Sequence, residues 1–128
     1  VPSQVFSLAV IEIKDFERLS QVCRGHASER VIINLASLLC SMLREEDICC
    51  RTAEAEFTIL LPGADGNSAH SLLRRLDLMD LPLRWEPGVP VALKMGSSTW
   101  PHDDSRVTGL LQLANTTSFD GPLLHATG

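Results

Sequence analysis

Apolar residues run almost unbroken from Val5 to Ile13, VFSLAVIEI, and a short aliphatic, β-branched run of this kind predicts a buried strand. It gives way to the charged stretch Lys14-Asp15-Phe16-Glu17-Arg18. From Ser28 onward, Val31, Leu35, Leu38 and Met42 recur at helical spacing, and Ile32 and Leu39 widen the stripe into one face of an amphipathic helix. Ile48 to Thr52 and Glu56 to Leu61 read as two strands around a short turn, and Pro62-Gly63 stops the second. Ser68 to Leu78 is again helical, with Leu72, Leu73 and Leu76 on one side. Pro82, Pro87 and Pro90 break the next segment into irregular chain before a further strand, Val91 to Thr99. A last helix is expected from about Ser105 to Phe119, stopped by Gly121-Pro122. Strand, helices, hairpin, helix, strand, helix is the order of an α+β fold, one sheet covered mainly by helices.

With 128 residues, 45% of them hydrophobic, the chain suits a single domain that buries about two-thirds of its unfolded surface. A net charge of −5 argues against a general nucleic-acid binder, because such proteins owe most of their affinity to clustered Lys and Arg. Any anionic ligand must then be met by a few placed arginines. No apolar stretch approaches the roughly 20 residues of a membrane span, so a soluble, cytoplasmic domain without membrane contact is expected. Cys23, Cys40, Cys49 and Cys50 show no CxxC or His-paired spacing, and four reduced, mostly buried thiols are expected rather than zinc or disulfides. Trp85 and Trp100 read as packing anchors. The absence of a starting Met and of a signal pattern suggests a single domain, residues 1–128, cut from a longer multidomain signalling protein.

Five segments in order, IEIKDFERL, GHASERVI, LREEDICCR, AEAEFTILLPG and KMGSS, resemble the GGDEF family, bacterial diguanylate cyclase domains that make cyclic di-GMP from two GTP molecules. The resemblance implies a five-stranded central sheet flanked by helices, like the nucleotidyl cyclase catalytic core. AEAEF, residues 53 to 57, stands where the family has its signature, and only Glu56 and Phe57 are kept. In the family two glycines let the hairpin tip approach GTP phosphates, which requires the absence of a Cβ; here they are Ala53 and Glu54. The signature's metal-binding acid is Ala55, which has no side-chain oxygen for a hard cation.

The resemblance places the other vestiges of the nucleotide site at Glu12, Phe16, Ser20 and Glu29, with Glu56 from the signature. Glu12 keeps a carboxylate at the metal position. Ser20 and Glu29 occupy the guanine-contacting positions, and Ser lacks the paired donor and acceptor of the family's Asn. The family's phosphate-contacting Lys corresponds to Glu17. Two like charges about 5 Å apart at an effective dielectric near 20 repel by roughly 3 kcal/mol, up to a few hundredfold in triphosphate affinity. Read without the family, Glu12, Glu17 and Glu29 are ordinary solvated charge.

Five residues before the signature, many members carry Arg-x-x-Asp, an inhibitory site for the product. Here it is Arg44-Glu45-Glu46-Asp47, followed by ICCRT and AEAEF. An RxxD alone is a weak pattern, an incidental i,i+3 pair at a helix end. A guanidinium fork nevertheless suits guanine O6 and N7 or a phosphate, and Asp47 suits guanine N1 and N2 hydrogens. The family's completing arginine maps to Arg75, with Arg74 beside it. Arg51 either contacts a phosphate or pairs with Glu54 or Glu56 across the turn. The expectation is a catalytically inactive receptor for cyclic di-GMP, needing no cofactor, with Mg only if GTP binds. Flanking sensor or output domains of the same chain and ligand-bridged dimers are the implied partners. The alternatives are a non-catalytic GTP-binding or protein-interaction regulatory module, and last a working cyclase.

Overall fold

The computed structural model describes residues 5–79, 81–101 and 118–120. The run at the N-terminus forms β1 (Phe6–Ile13), in which every residue from Ser7 to Ile11 is buried. Its odd positions Ala9, Ile11 and Ile13 face the main core, while Leu8 and Val10 are buried on the opposite face. A strand covered on both sides does not alternate, which is why its sequence reads as continuously apolar. α1 (Phe16–Val22) and α2 (Ala27–Ser41) follow, then the hairpin β2 (Ile48–Ala53) and β3 (Glu56–Pro62), and α3 (Gly66–Leu78). β4 (Arg84–Glu86) and β5 (Val89–Pro90) make a small ribbon, β6 (Leu93–Trp100) crosses the sheet, and β7 spans Ser118–Asp120.

β1 is antiparallel to β3 on one side and to β6 on the other, and β2 closes the β3 edge. The sheet thus consists of four long strands, β2-β3-β1-β6, with three-residue β7 added at the β6 edge. The expectation of one five-stranded sheet is amended accordingly: the fifth strand is a short addition, and β4 and β5 form a separate two-stranded sheet. The expected last helix falls mostly outside the described residues, and its end is corrected, because Ser118–Asp120 pairs with Lys94–Gly96 as a strand.

α2 turns Ala27, Val31, Ile32, Leu35 and Leu39 inward, the face its periodicity predicts, and α3 contributes Ala69, Leu73 and Leu76. These meet Phe57, Ile59 and Leu61 from β3 and Leu93 and Met95 from β6. Each of the larger side chains among them, fully buried, contributes about 1.5–3 kcal/mol. The proline-rich segment, expected to be irregular, is instead the β4–β5 ribbon around Pro87-Gly88, with Gly88 at φ 82. Its Trp85 is fully buried against Phe16, ring centroids 5.5 Å apart, and the Trp85 carbonyl accepts from Arg30 Nη2 at 3.1 Å. Trp100 stacks on Phe6 at 5.6 Å. The expectation of mostly buried thiols is corrected: Cys23 is buried, Cys49 half-buried, and Cys40 and Cys50 are exposed. Among the described residues no helix is long and apolar enough to cross a membrane.

The hairpin and its two sites

β2 and β3 pair in simple register from Ile48 opposite Leu60 to Arg51 opposite Phe57, then shift by a bulge so that Ala53 faces Glu56. Glu54 and Ala55 form the turn. Tight two-residue hairpins favour glycine because they need positive φ, but Asp15 is the one described non-glycine residue with positive φ, so this turn does not use that geometry. The bulge supplies the reversal instead. Arg51 Nε and Nη2 donate to the Glu54 carbonyl at 3.1 and 2.5 Å, and the Ile13 N–H donates to the Ala55 carbonyl at 2.9 Å. Arg51 therefore braces the turn through its backbone and does not pair with the Glu54 or Glu56 carboxylate.

Around this tip lie two adjoining depressions. The larger, about 490 Å³, is lined by Phe16, Glu17, Ser20, Glu29, Arg51 and Glu54, with buried Ile32 and exposed Ile33 as further apolar lining. The second, about 460 Å³, adds Glu12, Lys14 and Ala55 and shares Phe16, Glu17 and Glu54 with the first. Phe16, Ser20 and Glu29 are thus brought together as expected from the sequence, and Glu12 lies next door. Glu56 lines neither: its Oε2 accepts from Thr52 Oγ1 at 2.7 Å. Among the described residues no three Asp, Glu, His or Cys side chains are grouped closely enough to hold a metal ion. Position 55 brings no oxygen but its carbonyl, already accepting from Ile13, and Glu12 is the one carboxylate left at the metal position. Gln21 and Ser28 also line the larger depression; both lie on the helices that carry Ser20 and Glu29, the one cue the sequence held for them.

At the opposite end of the hairpin, Arg44 to Asp47 fold into a turn just before β2. The Asp47 N–H donates to the Arg44 carbonyl at 3.1 Å and the Arg44 N–H donates to Asp47 Oδ2 at 2.8 Å. The guanidinium closes over the carboxylate: Nε reaches both oxygens at 3.1 Å and Nη2 reaches Oδ1 at 2.6 Å. Nη2 also donates to the Pro62 carbonyl at 2.8 Å, which ties the turn to the end of β3. The Asp47 side chain is only 2% exposed, against 46% for Arg44. Burial pushes the Asp47 carboxyl up, but the hydrogen bonds from the Arg44 side chain and backbone outweigh it and hold it below the ordinary carboxylate range. The bond to Asp47 in turn raises Arg44.

Arg44 and Asp47 line a cavity of about 240 Å³ with Leu61, Ser68, Ser71, Leu72 and Arg75. α3 sets that wall: Asp65 caps it by accepting from the Ser68 N–H at 2.8 Å, and Ser68, Ser71, Leu72 and Arg75 then fall at helical spacing on one side. Arg75 is therefore brought to Arg44 and Asp47. Arg74, expected beside it, is exposed and does not line this cavity. Ser68, Ser71 and the Pro62 carbonyl were missed; the serines were legible as Arg75 minus seven and minus four, the carbonyl was not.

The sequence profile described as "Diguanylate cyclase, GGDEF domain" matches residues 2–119. Among solved structures, the GGDEF domain of TpbB (YfiN) from Pseudomonas aeruginosa is 26% identical with a TM-score of 0.74, over 89% of this chain and 69% of that one. The active GGEEF domain of a diguanylate cyclase from Vibrio cholerae shares the fold at TM-score 0.76 and 23% identity, over 88% and 73% of the two chains. The GGDEF domain of DgcB from Caulobacter crescentus, solved in complex with c-di-GMP, shares it at TM-score 0.74 and 18% identity, over 97% and 72%.

Proposed function

The chain belongs to the GGDEF family of diguanylate cyclase domains, and on that premise we propose that it is a catalytically inactive member serving as a receptor for cyclic di-GMP through Arg44 and Arg75, with Asp47 in support. One observation carries the reading: RxxD, at the family's spacing before a signature that has lost its glycines and an acid, lines one cavity with the arginine of α3. Two guanidinium groups on a small concave surface suit a cyclic dinucleotide, offering fork donors and flat faces for base and phosphate. A structural relative captured with c-di-GMP is consistent with this ligand class. The domain would act in bacterial second-messenger signalling in the cytoplasm, reporting to sensor or output domains elsewhere in its chain, with ligand-bridged dimers as one output.

The larger depression at the hairpin tip favours a second reading, a GTP-binding regulatory module. Size speaks for it and charge against it. Glu17, Glu29 and Glu54 line it, and the guanidinium of Arg51, its one arginine, is turned onto a backbone carbonyl. A triphosphate would meet more like charge than opposite charge. The same composition, with no acid at position 55, argues against turnover, since cyclisation needs the α-phosphate polarised and the 3′ hydroxyl activated by metal. Equilibrium dialysis against cyclic di-GMP and Mg-GTP separates the readings: retention of cyclic di-GMP alone supports the receptor, retention of GTP alone supports the second reading, and retention of neither leaves a protein-interaction module. Chromatography after incubation with Mn-GTP is expected to find no cyclic di-GMP; its appearance would refute the inactive assignment.

A further inference from the structure

A guanidinium has five N–H donors, and in Arg44 three are committed within the protein. Nε is spent on Asp47, and Nη2 is spent on Asp47 and on the Pro62 carbonyl. The edge left over is Nη1, and there the Glu46 carboxylate stands, Oε2 at 3.5 Å. This placement follows from the turn. Reciprocal bonds between Arg44 and Asp47 close the four residues into a ring, so that Glu45 and Glu46 project as its two central residues. Asp47 is sealed behind the guanidinium at 2% exposure, whereas Glu46 is 55% exposed and shares the outer surface with Arg44.

We infer that Glu46 is a built-in competitor for the ligand at Arg44: it holds the guanidinium's one uncommitted edge, and an incoming anion must displace it. Asp47, on the wall of the same cavity, fixes the orientation of the guanidinium. The Nη2 edge is taken while Arg44 is bonded to Asp47 and the Pro62 carbonyl, and the ligand group best served by Arg44 is a phosphate oxygen or a single base acceptor on Nη1, with the guanidinium face open for stacking. This inference rests on the reading of the cavity as a cyclic di-GMP site and deepens it, since it makes the two acidic residues inside RxxD a setting of affinity. Glu45 provides the internal contrast: it carries the same charge in the same turn and forms no ion pair with Arg44.

An exposed pair contributes little, so Glu46→Gln should tighten cyclic di-GMP about two- to fivefold at moderate ionic strength, with the gain shrinking as salt rises. Glu45→Gln, which removes the same charge, should leave affinity near the wild type. Titration of the three proteins with cyclic di-GMP tests this, and phenylglyoxal labelling of the ligand-free proteins, read at Arg44 by mass spectrometry, supplies a measurement that needs no ligand. The expected result is tighter binding and faster Arg44 labelling in Glu46→Gln alone. Equal effects from both glutamates, or slower labelling in Glu46→Gln, would overturn the inference. If none of the proteins bound cyclic di-GMP, the receptor reading would fall by itself, and the labelling rates would still decide whether Glu46 holds Arg44.

Discussion

Asp47 is a nearly buried carboxylate held by one arginine on the wall of a cavity. Its folded-state pKa lies below the ordinary carboxylate value, so its contribution to stability is present above the unfolded pKa, about 3.9, and is lost as pH falls through the folded one. Asp47→Asn is accordingly expected to lower the urea midpoint at pH 7, with the gap from wild type closing below about pH 4; an equal gap at both pH values would contradict a stabilising Arg44–Asp47 pair. A second titration concerns Cys49, whose thiol is pushed up to about 11, first by burial and then by neighbouring Cys40 and Cys50. At pH 8 it should be alkylated far more slowly than exposed Cys40 and Cys50, as peptide mapping after iodoacetamide would show. At this scale the spacing of RxxD was legible in the sequence. Of the adjacent Arg74 and Arg75, which point about 100° apart on α3, only Arg75 lines the cavity, a distinction their positions in the sequence did not draw. The seal over Asp47 depends on a carbonyl eighteen residues beyond Arg44 and has no local signature.

The elements divide by how much period they contain. α2 repeats its apolar stripe over 15 residues and was plain from the sequence, as was β3 with its alternating burial. α1 was given no bounds from the sequence because seven residues with one buried side chain, Phe16, barely complete two turns, and its entry depends on Asp15 adopting a left-handed φ of 56. The β4–β5 ribbon was missed because its prolines read as breakers, although an edge strand tolerates them. Between elements, the buried Ser7 hydroxyl bonds the Ala64 carbonyl at 2.8 Å and Thr99 Oγ1 at 2.8 Å, fastening the β3–α3 connection to β1 and β6 and so setting the α3 wall of the arginine cavity. Ser7→Ala leaves that carbonyl short of a partner and should cost about 1–3 kcal/mol in urea unfolding, whereas exposed Ser41→Ala should change stability by less than about 0.5 kcal/mol. Equal effects would mean that the hydroxyl network is not what fastens the connection.

For the whole molecule, the hairpin separates two sites of opposite character. A six-residue strand is about 20 Å long, and β2 carries the carboxylate-lined depression at its tip and the Arg44–Arg75 cavity at its base. A net charge of −5 hides this division, and the sequence revealed it only once residues were set in the family's order. The α+β class was legible because strand-like and helix-like runs alternate clearly. The way the chain apportions strands between a main sheet and a ribbon was not, since short pairings are decided by tertiary contact. A ligand that binds only the folded state at a hundred times its Kd adds about 2.7 kcal/mol of stability, on the order of 10 °C in Tm for a domain of this size. Cyclic di-GMP should produce such a shift and Mg-GTP should not.

Isothermal calorimetry of cyclic di-GMP into the wild type and into Arg44→Ala, with the fold of both verified by circular dichroism, tests the receptor claim most directly. Saturable heat in the wild type that disappears in Arg44→Ala is the predicted result; no heat in the wild type, or the same affinity in both proteins, would contradict it.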